Sequence, residues 1–236
     1  MSKVPVIFVD KLAKTYFMPG GNKQNVLKGI SFKIHKGEFV AIMGHSGSGK
    51  STLMNILGCL DRPTSGMYSL SGYEIADKTD VELAEIRGKQ LGFVFQNFNL
   101  LMKRTILDNV ALPLMYQGFS EKERKRRAFE MLKKVNLQGY EDRFPNQISG
   151  GMQQRVAIAR ALINNPSLIF ADEPTGNLDS KTSDEIMYLF KELNQQGITV
   201  VLVTHEEDVA DYAQRMIKIS DGQVVYDGLR KEYQKD

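Results

Sequence analysis

The stretch at residues 39–57 reads Phe39-Val-Ala-Ile-Met-Gly-His-Ser-Gly-Ser-Gly-Lys-Ser-Thr-Leu-Met-Asn-Ile-Leu57. Its opening residues, 39–43, form an unbroken apolar run of the length expected for a strand that is buried on both faces. After a polar, glycine-rich interval, apolar residues return at helical spacing: Leu53, Ile56, Leu57 and Leu60. The stretch therefore predicts a strand, a tight turn and a helix in direct succession.

The turn carries the pattern Gly44-x-x-x-x-Gly49-Lys50-Ser51, which is typical of loops that bind phosphate. Glycines let the backbone wrap tightly and point its N–H groups at phosphate oxygens, and the following helix adds its positive end. Lys50 supplies a charge for the β- and γ-phosphates, and the Ser51 hydroxyl can ligate Mg²⁺. We predict that this phosphate loop (residues 44–51) binds a nucleoside triphosphate; a glycine-rich turn without a ligand is the alternative.

Composition narrows the class of protein. With 236 residues, one domain with an inserted subdomain is the natural expectation, and a formal charge of +3 does not by itself indicate a nucleic-acid-binding protein. The single cysteine, Cys59, excludes an internal disulfide and is expected on the apolar side of the helix after the phosphate loop. Because no signal peptide and no run of about 18 apolar residues is visible, we expect a soluble chain whose membrane role would come from a partner.

Alternating apolar residues surround the phosphate-loop stretch. Residues 6–12, 30–34 and 67–70 have the pattern of strands, which predicts an antiparallel β layer around the loop. Tyr16 and Phe17 lie in this layer, and either ring could stack on a nucleotide base. From the local pattern alone, a position in the core or in a hairpin is an equal alternative for both rings.

Residues 97–149 have a largely helical character and form the candidate insert. The pattern Ser120-Glu-Lys-Glu123 predicts a capping box that opens a helix. One side of that helix is apolar: Ala128, Met131, Leu132 and Val135. We therefore expect a single domain with a nucleotide-binding core at residues 1–96 and 150–236 and a helical insert at residues 97–149.

Five basic residues lie in the first turns of the same helix: Lys122, Arg124, Lys125, Arg126 and Arg127. A solvated helix face is the favoured explanation for such a charge run. Contact with anionic lipid headgroups is the sharper alternative. The sequence alone assigns no function to this cluster.

A second glycine-rich helix start follows the insert. Ser149-Gly150-Gly151 precedes a helical pattern that Pro166 ends. Ser149 suits an N-cap, and the two glycines would let another group approach the backbone closely. Taken alone, Ser-Gly-Gly is a common loop; in a chain that already holds a triphosphate, it predicts a second phosphate contact at a helix N-terminus.

Three apolar runs end in side chains suited to magnesium binding and hydrolysis. The run 91–96 ends in the Gln96 amide, the run beginning at 168 ends in Asp172 and Glu173, and the run 198–204 is followed by His205. Asp172 suits the support of Mg²⁺, and Glu173 can polarise a water that faces the γ-phosphate. A histidine at the end of a central strand lies where ligands bind in a doubly wound sheet. Solvated acids at a surface strand end and a structural histidine are the alternatives.

Together these residues resemble one family. The phosphate loop, Gln96, Ser149-Gly150-Gly151, Asp172-Glu173, Asp179 and His205 occur in the order and spacing of ATP-binding-cassette (ABC) ATPases, over nearly the whole chain. Within that family, residues 58–66, 93–101 and 176–181 resemble the macrolide-exporter/lipoprotein-releasing (MacB/LolD) branch, and residues 44–47 and 101–105 are similar to the cell-division ATPase FtsE. One departure is visible in residues 148–152, where Ile148 and Met152 stand in place of the commoner Leu and Gln or Glu.

The resemblance implies an α/β fold of the P-loop NTPase (ABC ATPase) class, with a mixed central sheet, an antiparallel β layer and an inserted α-helical subdomain. It implies that ATP is held by Gly44, His45, Ser46, Gly47, Ser48, Gly49, Lys50, Ser51 and Thr52, with Tyr16 stacked on the adenine. Ser51, Gln96 and Asp172 would hold Mg²⁺. Glu173 would be the general base, and Lys50, Gln96 and His205 would complete the catalytic set.

The resemblance also implies partners. Ser149, Gly150 and Gly151 would contact the γ-phosphate of ATP held by a second subunit, and Asp179 would link the two sites across the interface. The expected assembly is a head-to-tail homodimer that closes on two ATP molecules. It would dock on an integral membrane permease of the FtsX/MacB type at the cytoplasmic face of a bacterial membrane. An extracytoplasmic adaptor protein is a further candidate partner, and no nucleic acid is expected.

Two functions fit this resemblance. ATP hydrolysis would drive a MacB/LolD-type permease that exports or extracts peptides, drugs or lipoproteins; an FtsE-like ATPase that regulates cell-wall machinery without transport is the alternative. A soluble ABC ATPase of DNA repair or translation is disfavoured, because tandem cassettes, a long coiled coil and zinc-binding cysteines are missing from the sequence. A GTPase is disfavoured by the lack of an Asn-Lys-x-Asp pattern.

Overall fold

The computed structural model describes residues 4–233, whose strands form two sheets. The strands are β1 (Ile7–Phe17), β2 (Lys23–Ile34), β3 (Phe39–Met43), β4 (Ser65–Leu70), β5 (Tyr73–Glu74), β6 (Leu91–Phe95), β7 (Leu168–Asp172), β8 (Thr199–Thr204), β9 (Arg215–Ser220) and β10 (Gln223–Leu229). The helices are α1 (Lys50–Leu57), α2 (Asp80–Gln90), α3 (Ile106–Met115), α4 (Glu121–Lys134), α5 (Gly150–Leu162), α6 (Ser180–Gln195) and α7 (Glu207–Ala210), with 3-10 turns at Pro145–Gln147 and Arg230–Glu232.

The central sheet has the strand order β10-β9-β3-β8-β7-β6. Neighbouring strands from β9 to β6 are parallel, whereas β10 is antiparallel to β9, so the predicted mixed sheet is confirmed. Every residue of β3 and β8 is buried, as the apolar runs in the sequence require of strands covered on both faces. The parallel register brings the carboxyl ends of β3, β8, β7 and β6 to one edge of the sheet.

Alternating residues of β3 divide the hydrophobic core into two layers. Val40 and Ile42 pack with the antiparallel sheet and α1 on one face. Ala41 and Met43 pack with helices α3, α4, α5 and α6 on the other face. Because successive side chains of a strand point to opposite faces, one short strand anchors both layers. The antiparallel sheet has the order β2-β1-β4-β5, as the predicted β layer requires.

Buried hydrogen bonds fix the loop that leads from β6 into the helices. The fully buried Asn109 of α3 accepts a hydrogen bond from the Leu101 N–H at 2.7 Å and donates to the Leu101 carbonyl at 3.1 Å. Thr105 caps α3 by accepting a hydrogen bond from the Asp108 N–H at 3.1 Å. A buried amide that satisfies its neighbours' backbone groups holds an otherwise irregular segment in one conformation.

Helix α1 is shorter than the sequence pattern suggests. It ends at Leu57, and the chain then turns through Cys59, whose φ is +55°. Cys59 is buried just beyond the helix rather than on its apolar side, and Leu60 is 52% exposed. The expectation for these two residues was therefore wrong, because the left-handed conformation at Cys59, one residue after the C-cap Gly58, takes the chain out of the helix.

The predicted capping box at the start of α4 is only half formed. The Ser120 hydroxyl accepts a hydrogen bond from the Glu123 N–H at 3.4 Å. The Glu123 carboxylate does not return to the N-cap; it accepts hydrogen bonds from Arg126 and Arg127 at 2.9 and 2.6 Å. The Glu123 carboxylate pairs with the positively charged guanidinium groups of Arg126 and Arg127 rather than with the uncharged backbone N–H, because both partners of such a hydrogen bond are ionised. None of the helices in the described part of the chain has the length and apolarity needed to cross a membrane.

Candidate active site

An open cleft of about 1270 Å³ lies at the carboxyl edge of the central sheet. This is the edge at which ligands bind in open α/β sheets. Most of the residues predicted for the site line this cleft: Tyr16, Gly44, His45, Ser46, Gly47, Gly49, Lys50, Ser51, Thr52, Gln96, Asp172, Glu173 and His205. Residues as far apart in the sequence as Tyr16 and His205 thus share one cavity.

The phosphate loop has the glycines that its geometry demands. A Cβ at Gly44 would lie 2.3 Å from the Ile219 carbonyl oxygen, and Gly49 has a φ of +108°, which side chains rarely allow. The Lys50 ammonium donates to the Gly44 and His45 carbonyls at 2.7 and 3.0 Å. Burial lowers the pKa of Lys50, and the nearby carboxylates partly oppose this shift.

Ser48 is a buried polar group in the same loop. Its hydroxyl oxygen has no hydrogen-bond partner among residues 4–233. Buried polar atoms in folded proteins nearly always have a partner, so this hydroxyl is an exception, and Ser48 does not line the cleft. The fit of the loop to phosphate rests instead on its backbone: Gly44 and Gly49 leave no room for a side chain, and the loop lines the cleft.

Glu173 is held by contacts on both sides. Its φ of +44° lies in the left-handed region, which costs a non-glycine residue energy. The Glu173 N–H donates to the Val203 carbonyl of β8 at 2.8 Å, and its carboxylate Oε1 lies 2.8 Å from His205 Nδ1. For this contact to be a hydrogen bond to a carboxylate, Nδ1 must carry the proton. The strained backbone and the histidine together aim the carboxylate into the cleft.

Asp172 has a different environment from its neighbour. It ends β7, and burial together with the negative charge of Glu173 raises the pKa of Asp172, while Lys50 acts in the opposite direction. The fold therefore holds this carboxylate where its charge is costly without a cation. Such a site favours a bound cation.

The oxygen groups near Asp172 suit Mg²⁺ rather than a metal held by protein alone. Ser51, Gln96 and Asp172 offer a hydroxyl, an amide and one carboxylate along the cleft. No three His, Cys, Asp or Glu side chains converge as a metal cluster anywhere within residues 4–233. Mg²⁺ is usually bound through one or two carboxylates together with substrate phosphates and water, so these residues fit that ion.

The structure separates the two candidate aromatic residues. Tyr16 lines the cleft near the end of β1, and its hydroxyl donates to Asp61 Oδ2 at 2.9 Å. Phe17 is 70% exposed, does not line the cleft, and has the Lys23 ammonium 5.4 Å from its ring centroid. Tyr16 is thus the aromatic residue in position to meet a base.

Five predicted site residues lie outside the cleft lining: Ser48 of the phosphate loop, and Ser149, Gly150, Gly151 and Asp179. The Ser149 hydroxyl caps α5 by accepting a hydrogen bond from the Met152 N–H at 3.3 Å. Asp179 caps α6 by accepting hydrogen bonds from the Thr182 N–H and hydroxyl at 3.0 and 2.6 Å, and these bonds lower the pKa of Asp179. The α5 start (residues 149–151) therefore forms a second surface beside the start of α6.

The two glycines of the α5 start, Gly150 and Gly151, differ in how closely the neighbouring residues pack against them. A Cβ at Gly151 would lie 2.3 Å from Thr182 Cγ2, so the packing of α5 on α6 requires a glycine there. A Cβ at Gly150 would lie 3.4 Å from Leu178 Cδ2, an ordinary contact, and the Gly150 backbone is outside the left-handed region. The fold therefore has no need of glycine at position 150, whereas a ligand that approaches the helix N–H groups would.

Sequence reasoning missed the residues that support this machinery. The fully buried Gln154 of α5 donates from Nε2 to the Pro174 carbonyl at 2.6 Å, next to Glu173. Arg160 of the same helix donates to the Phe98 and Asn99 carbonyls at 2.9 and 2.5 Å, just after Gln96. The sequence did contain one signal for these two residues, because both are polar and lie within a largely apolar helical pattern. Their partners, however, are backbone carbonyls about 20 and 60 residues away.

Comparison with known proteins gives one consistent result. A family model described as ABC transporter matches residues 27–176. The macrolide export ATP-binding/permease protein MacB of Syntrophobacter fumaroxidans is 53% identical over 220 residues, which are 92% of this chain and 31% of that protein. The uncharacterized ABC transporter ATP-binding protein YknY of Bacillus subtilis is 52% identical over 220 residues, 93% of this chain and 95% of that one. The chain thus spans nearly all of YknY but about a third of MacB.

A solved structure is similar throughout. It is a dimeric post-hydrolysis state of the ATP-binding cassette MJ0796, bound to ADP and Pi. Its TM-score is 0.86 at 47% sequence identity, and the match covers 96% of this chain and 100% of the other.

Proposed function

The chain belongs to the ABC transporter family and is a cassette that binds and hydrolyses ATP, and from this premise we propose that it works as a homodimer that drives a separate MacB/LolD-type permease. One observation carries the proposal. A cleft lined by the phosphate loop and a second glycine-rich helix start, residues 149–151, occur in the same chain, but the second does not line the first. A second copy of the chain would supply the missing half.

Each cleft residue has a proposed task. The N–H groups of the phosphate loop and Lys50 bind the β- and γ-phosphates of ATP, and Tyr16 stacks on the adenine. Ser51, Gln96 and Asp172 hold Mg²⁺, which neutralises phosphate charge when bound. Glu173 accepts a proton from the attacking water, and His205 keeps the Glu173 carboxylate oriented through the 2.8 Å contact. His205 also faces the γ-phosphate from the end of β8.

The composite site follows from symmetry. In a two-fold dimer both subunits give the same surfaces, so two clefts would each be completed by the α5 start of the other subunit. Ser149 and Gly150 would then present helix N–H groups to the γ-phosphate, and Asp179 would lie at the same interface. The freedom of Gly150 from any packing constraint supports this role. The dimeric form in which MJ0796 is described with ADP and Pi supports the assembly.

The dimer is tested by separating ATP binding from hydrolysis. Glu173→Gln keeps the shape of the side chain but removes the base, so hydrolysis should fall about 1,000-fold while ATP binding persists. With ATP and magnesium this variant should elute as a dimer in size-exclusion chromatography, and without ATP as a monomer.

A double variant locates the interface. Gly150→Asp places a carboxylate where the second subunit's γ-phosphate would lie, and an acid in the first turn of a helix does not disturb folding. In the Glu173→Gln background it should bind ATP normally and remain a monomer. A dimer that still forms would show that the α5 start is not the completing surface. Hydrolysis by Glu173→Gln at the wild-type rate would show that Glu173 is not the base.

The membrane partner is a separate part of the proposal. MacB is named as an ATP-binding/permease protein, and this chain matches about a third of it. We expect an FtsX/MacB-like permease to dock on the helical insert, residues 97–149, and to hold the cassette at the cytoplasmic face of the membrane. The chain should therefore sediment with membranes only when the permease is co-expressed. Equal sedimentation without the permease would contradict this proposal.

A further inference from the structure

Asp61 lies at the centre of a hydrogen-bond network behind Tyr16. Its Oδ2 accepts the Tyr16 hydroxyl at 2.9 Å, and its Oδ1 accepts the Lys14 ammonium and the Arg62 N–H at 2.6 and 2.7 Å. The Lys14 ammonium also donates to the Arg62 carbonyl at 2.7 Å. Both oxygens of the Asp61 carboxylate thus accept hydrogen bonds. Two of the three donors, Lys14 and Tyr16, lie on β1.

The charge state of Asp61 supports a strong network. Burial acts to raise the pKa of Asp61, but the hydrogen bonds from Lys14, Tyr16 and Arg62 outweigh it and lower the pKa. The carboxylate is therefore ionised at neutral pH, and its hydrogen bonds are charge-assisted, which makes them shorter and stronger than neutral ones. Lys14 is only 12% exposed at its side chain, so its charge is screened little by solvent.

Lys14 also restricts the Tyr16 ring directly. Its ammonium lies over the ring, 4.8 Å from the centroid. A cation over an aromatic face is attracted to it. The ammonium over the ring and the hydrogen bond to Asp61 restrain the Tyr16 ring at two points, and the restrained ring lines the cleft.

Asp61 is tied to the helix that starts in the phosphate loop. The Leu60 and Asp61 N–H groups both donate to the Asn55 carbonyl of α1, at 2.8 and 3.2 Å. The segment then joins β1 again, because the Thr64 N–H donates to the Ala13 carbonyl at 2.8 Å. Helix α1 thus sets the position of Asp61, and Asp61 sets the position of Tyr16.

We propose that Asp61, with Lys14, is a positioning residue for adenine recognition: it fixes the Tyr16 ring on the cleft wall at a set distance from the phosphate loop. The inference rests on the proposed stacking of Tyr16 on the base of ATP. Neither Asp61 nor Lys14 lines the cleft, so both act through the tyrosine. Holding the ring before ATP arrives removes the entropy cost of ordering it on binding.

Two variants break the network from opposite ends. Asp61→Ala removes the acceptor, and Tyr16→Phe removes the hydroxyl but keeps the ring and the Asp61–Lys14 pair. Each should raise the Kd of ATP about fivefold, measured by calorimetry on the full chain, because ordering one side chain costs roughly this factor. The Ki of inorganic tripolyphosphate, which has no base, should not change in either variant. General damage to the phosphate loop would raise both constants.

A double-mutant cycle tests whether Asp61 acts through Tyr16. Tyr16→Ala removes the stacking ring, and in this background Asp61→Ala should cause no further loss of ATP affinity. Asp80→Asn is the matched control, because Asp80 pairs with Arg62 at 2.8 Å, is 94% exposed at its side chain and does not contact Tyr16. Its Kd for ATP should equal that of the wild type.

The outcomes separate the inference from its premise. If Tyr16→Ala weakens ATP binding but Asp61→Ala and Tyr16→Phe do not, stacking stands and the positioning role of Asp61 is overturned. If Asp61→Ala weakens ATP and tripolyphosphate equally, or acts equally in the Tyr16→Ala background, it is also overturned. If Tyr16→Ala leaves ATP affinity unchanged, the stacking proposal fails and the inference fails with it. Should Asp61→Ala not fold, Asp61→Leu, which also lacks the acceptor, takes its place, because Tyr16→Phe also removes the hydrogen bond between the tyrosine hydroxyl and Thr52.

Discussion

The phosphate loop and the α5 start are both glycine-rich helix starts, yet the fold constrains them differently. The phosphate loop is concave, its Gly44 and Gly49 are required by close contacts and positive φ, and it carries the Lys50 charge and the unpaired Ser48 hydroxyl. The α5 start has a serine that already satisfies its own helix, and a glycine at position 150 that no neighbour requires. Within one chain, a helix N-terminus therefore forms a ligand site only where the surrounding structure adds charge and shape.

Loss of Lys50 should give the largest difference between these two regions. Lys50→Ala removes the ammonium group of the phosphate loop, so ATP affinity should fall about 100-fold. Gly150→Asp should leave the affinity of the monomer unchanged. Titration with ATP measures both, and Lys89→Ala, an exposed lysine of α2 paired with Glu85, is the control. Equal losses in Lys50→Ala and Gly150→Asp would remove the distinction between the regions.

The glycines of the α5 start should separate in stability. Gly151→Ala forces a Cβ to within 2.3 Å of Thr182 Cγ2, so the free energy of unfolding should fall by about 2 kcal/mol. Gly150→Ala meets only an ordinary contact and should change it by less than about 0.5 kcal/mol. Urea denaturation of the two variants without nucleotide measures the difference. Similar losses in both would mean that packing alone explains the two glycines.

Substitution of His205 tests whether this residue orients the Glu173 carboxylate in the cleft. His205→Ala leaves Glu173 with its strained backbone but without the 2.8 Å side-chain contact. We expect kcat to fall about tenfold or more, with little change in ATP affinity, because the carboxylate is no longer oriented. Steady-state ATPase assays and ATP titration give the two quantities. A fall in affinity alone would instead indicate that His205 contributes to ground-state binding.

The smallest expected effect is a gain in stability. The fold raises the pKa of Asp172 through burial and the charge of Glu173, so its ionised form at pH 7 costs stability in the absence of a cation. Asp172→Asn should therefore raise the free energy of unfolding without ligand by less than about 1 kcal/mol, at the cost of magnesium-dependent ATP hydrolysis.

The pH dependence gives the sign of that effect. Because the folded-state pKa of Asp172 lies above its unfolded value, the wild-type carboxyl gains a proton first in the folded state as pH falls. The advantage of Asp172→Asn should thus be present at pH 7 and shrink as the pH is lowered through the Asp172 pKa. Thermal unfolding of both proteins across this range measures it. A variant that is less stable than the wild type at pH 7 would contradict the proposed cost of the charge.

Much of the fold could be predicted because its central strands are short, continuous apolar runs in the sequence. The apolar runs that became β3, β6, β7 and β8 predicted buried strands from the residues themselves, whereas the mixed sheet was predicted from the family resemblance. Helix α2 was not predicted, since only Leu83 of its residues is buried and no apolar stripe is present in the sequence. Strand β9 was also missed, because Lys218 interrupts its buried residues and the strand is recognisable only beside β3.

The supporting residues of the site were beyond sequence reasoning for a related physical reason. Asp61 and Gln154 act through hydrogen bonds to groups 45 and 20 residues away, Tyr16 and Pro174. A hydrogen bond depends on distance and angle in space, which local spacing does not encode. The half-formed capping box of α4 is a further example. The sequence pattern predicted a hydrogen bond between Glu123 and the N-cap, but in the structure its carboxylate accepts hydrogen bonds from Arg126 and Arg127.

The phosphate loop could be predicted from the sequence alone, because a strand, a glycine-rich turn and a helix start are local geometry set by adjacent residues. The sequence also determined that Asp172 and Glu173 end a buried strand, since an apolar run has a visible end. The set of side chains that share the cleft is visible only in the three-dimensional structure. The same is true of the packing contact at Gly151, of its absence at Gly150, and of the hydrogen bond from Tyr16 to Asp61. Those outcomes depend on contacts between segments far apart in the chain, and they exist only after the sheet has placed its strand ends side by side.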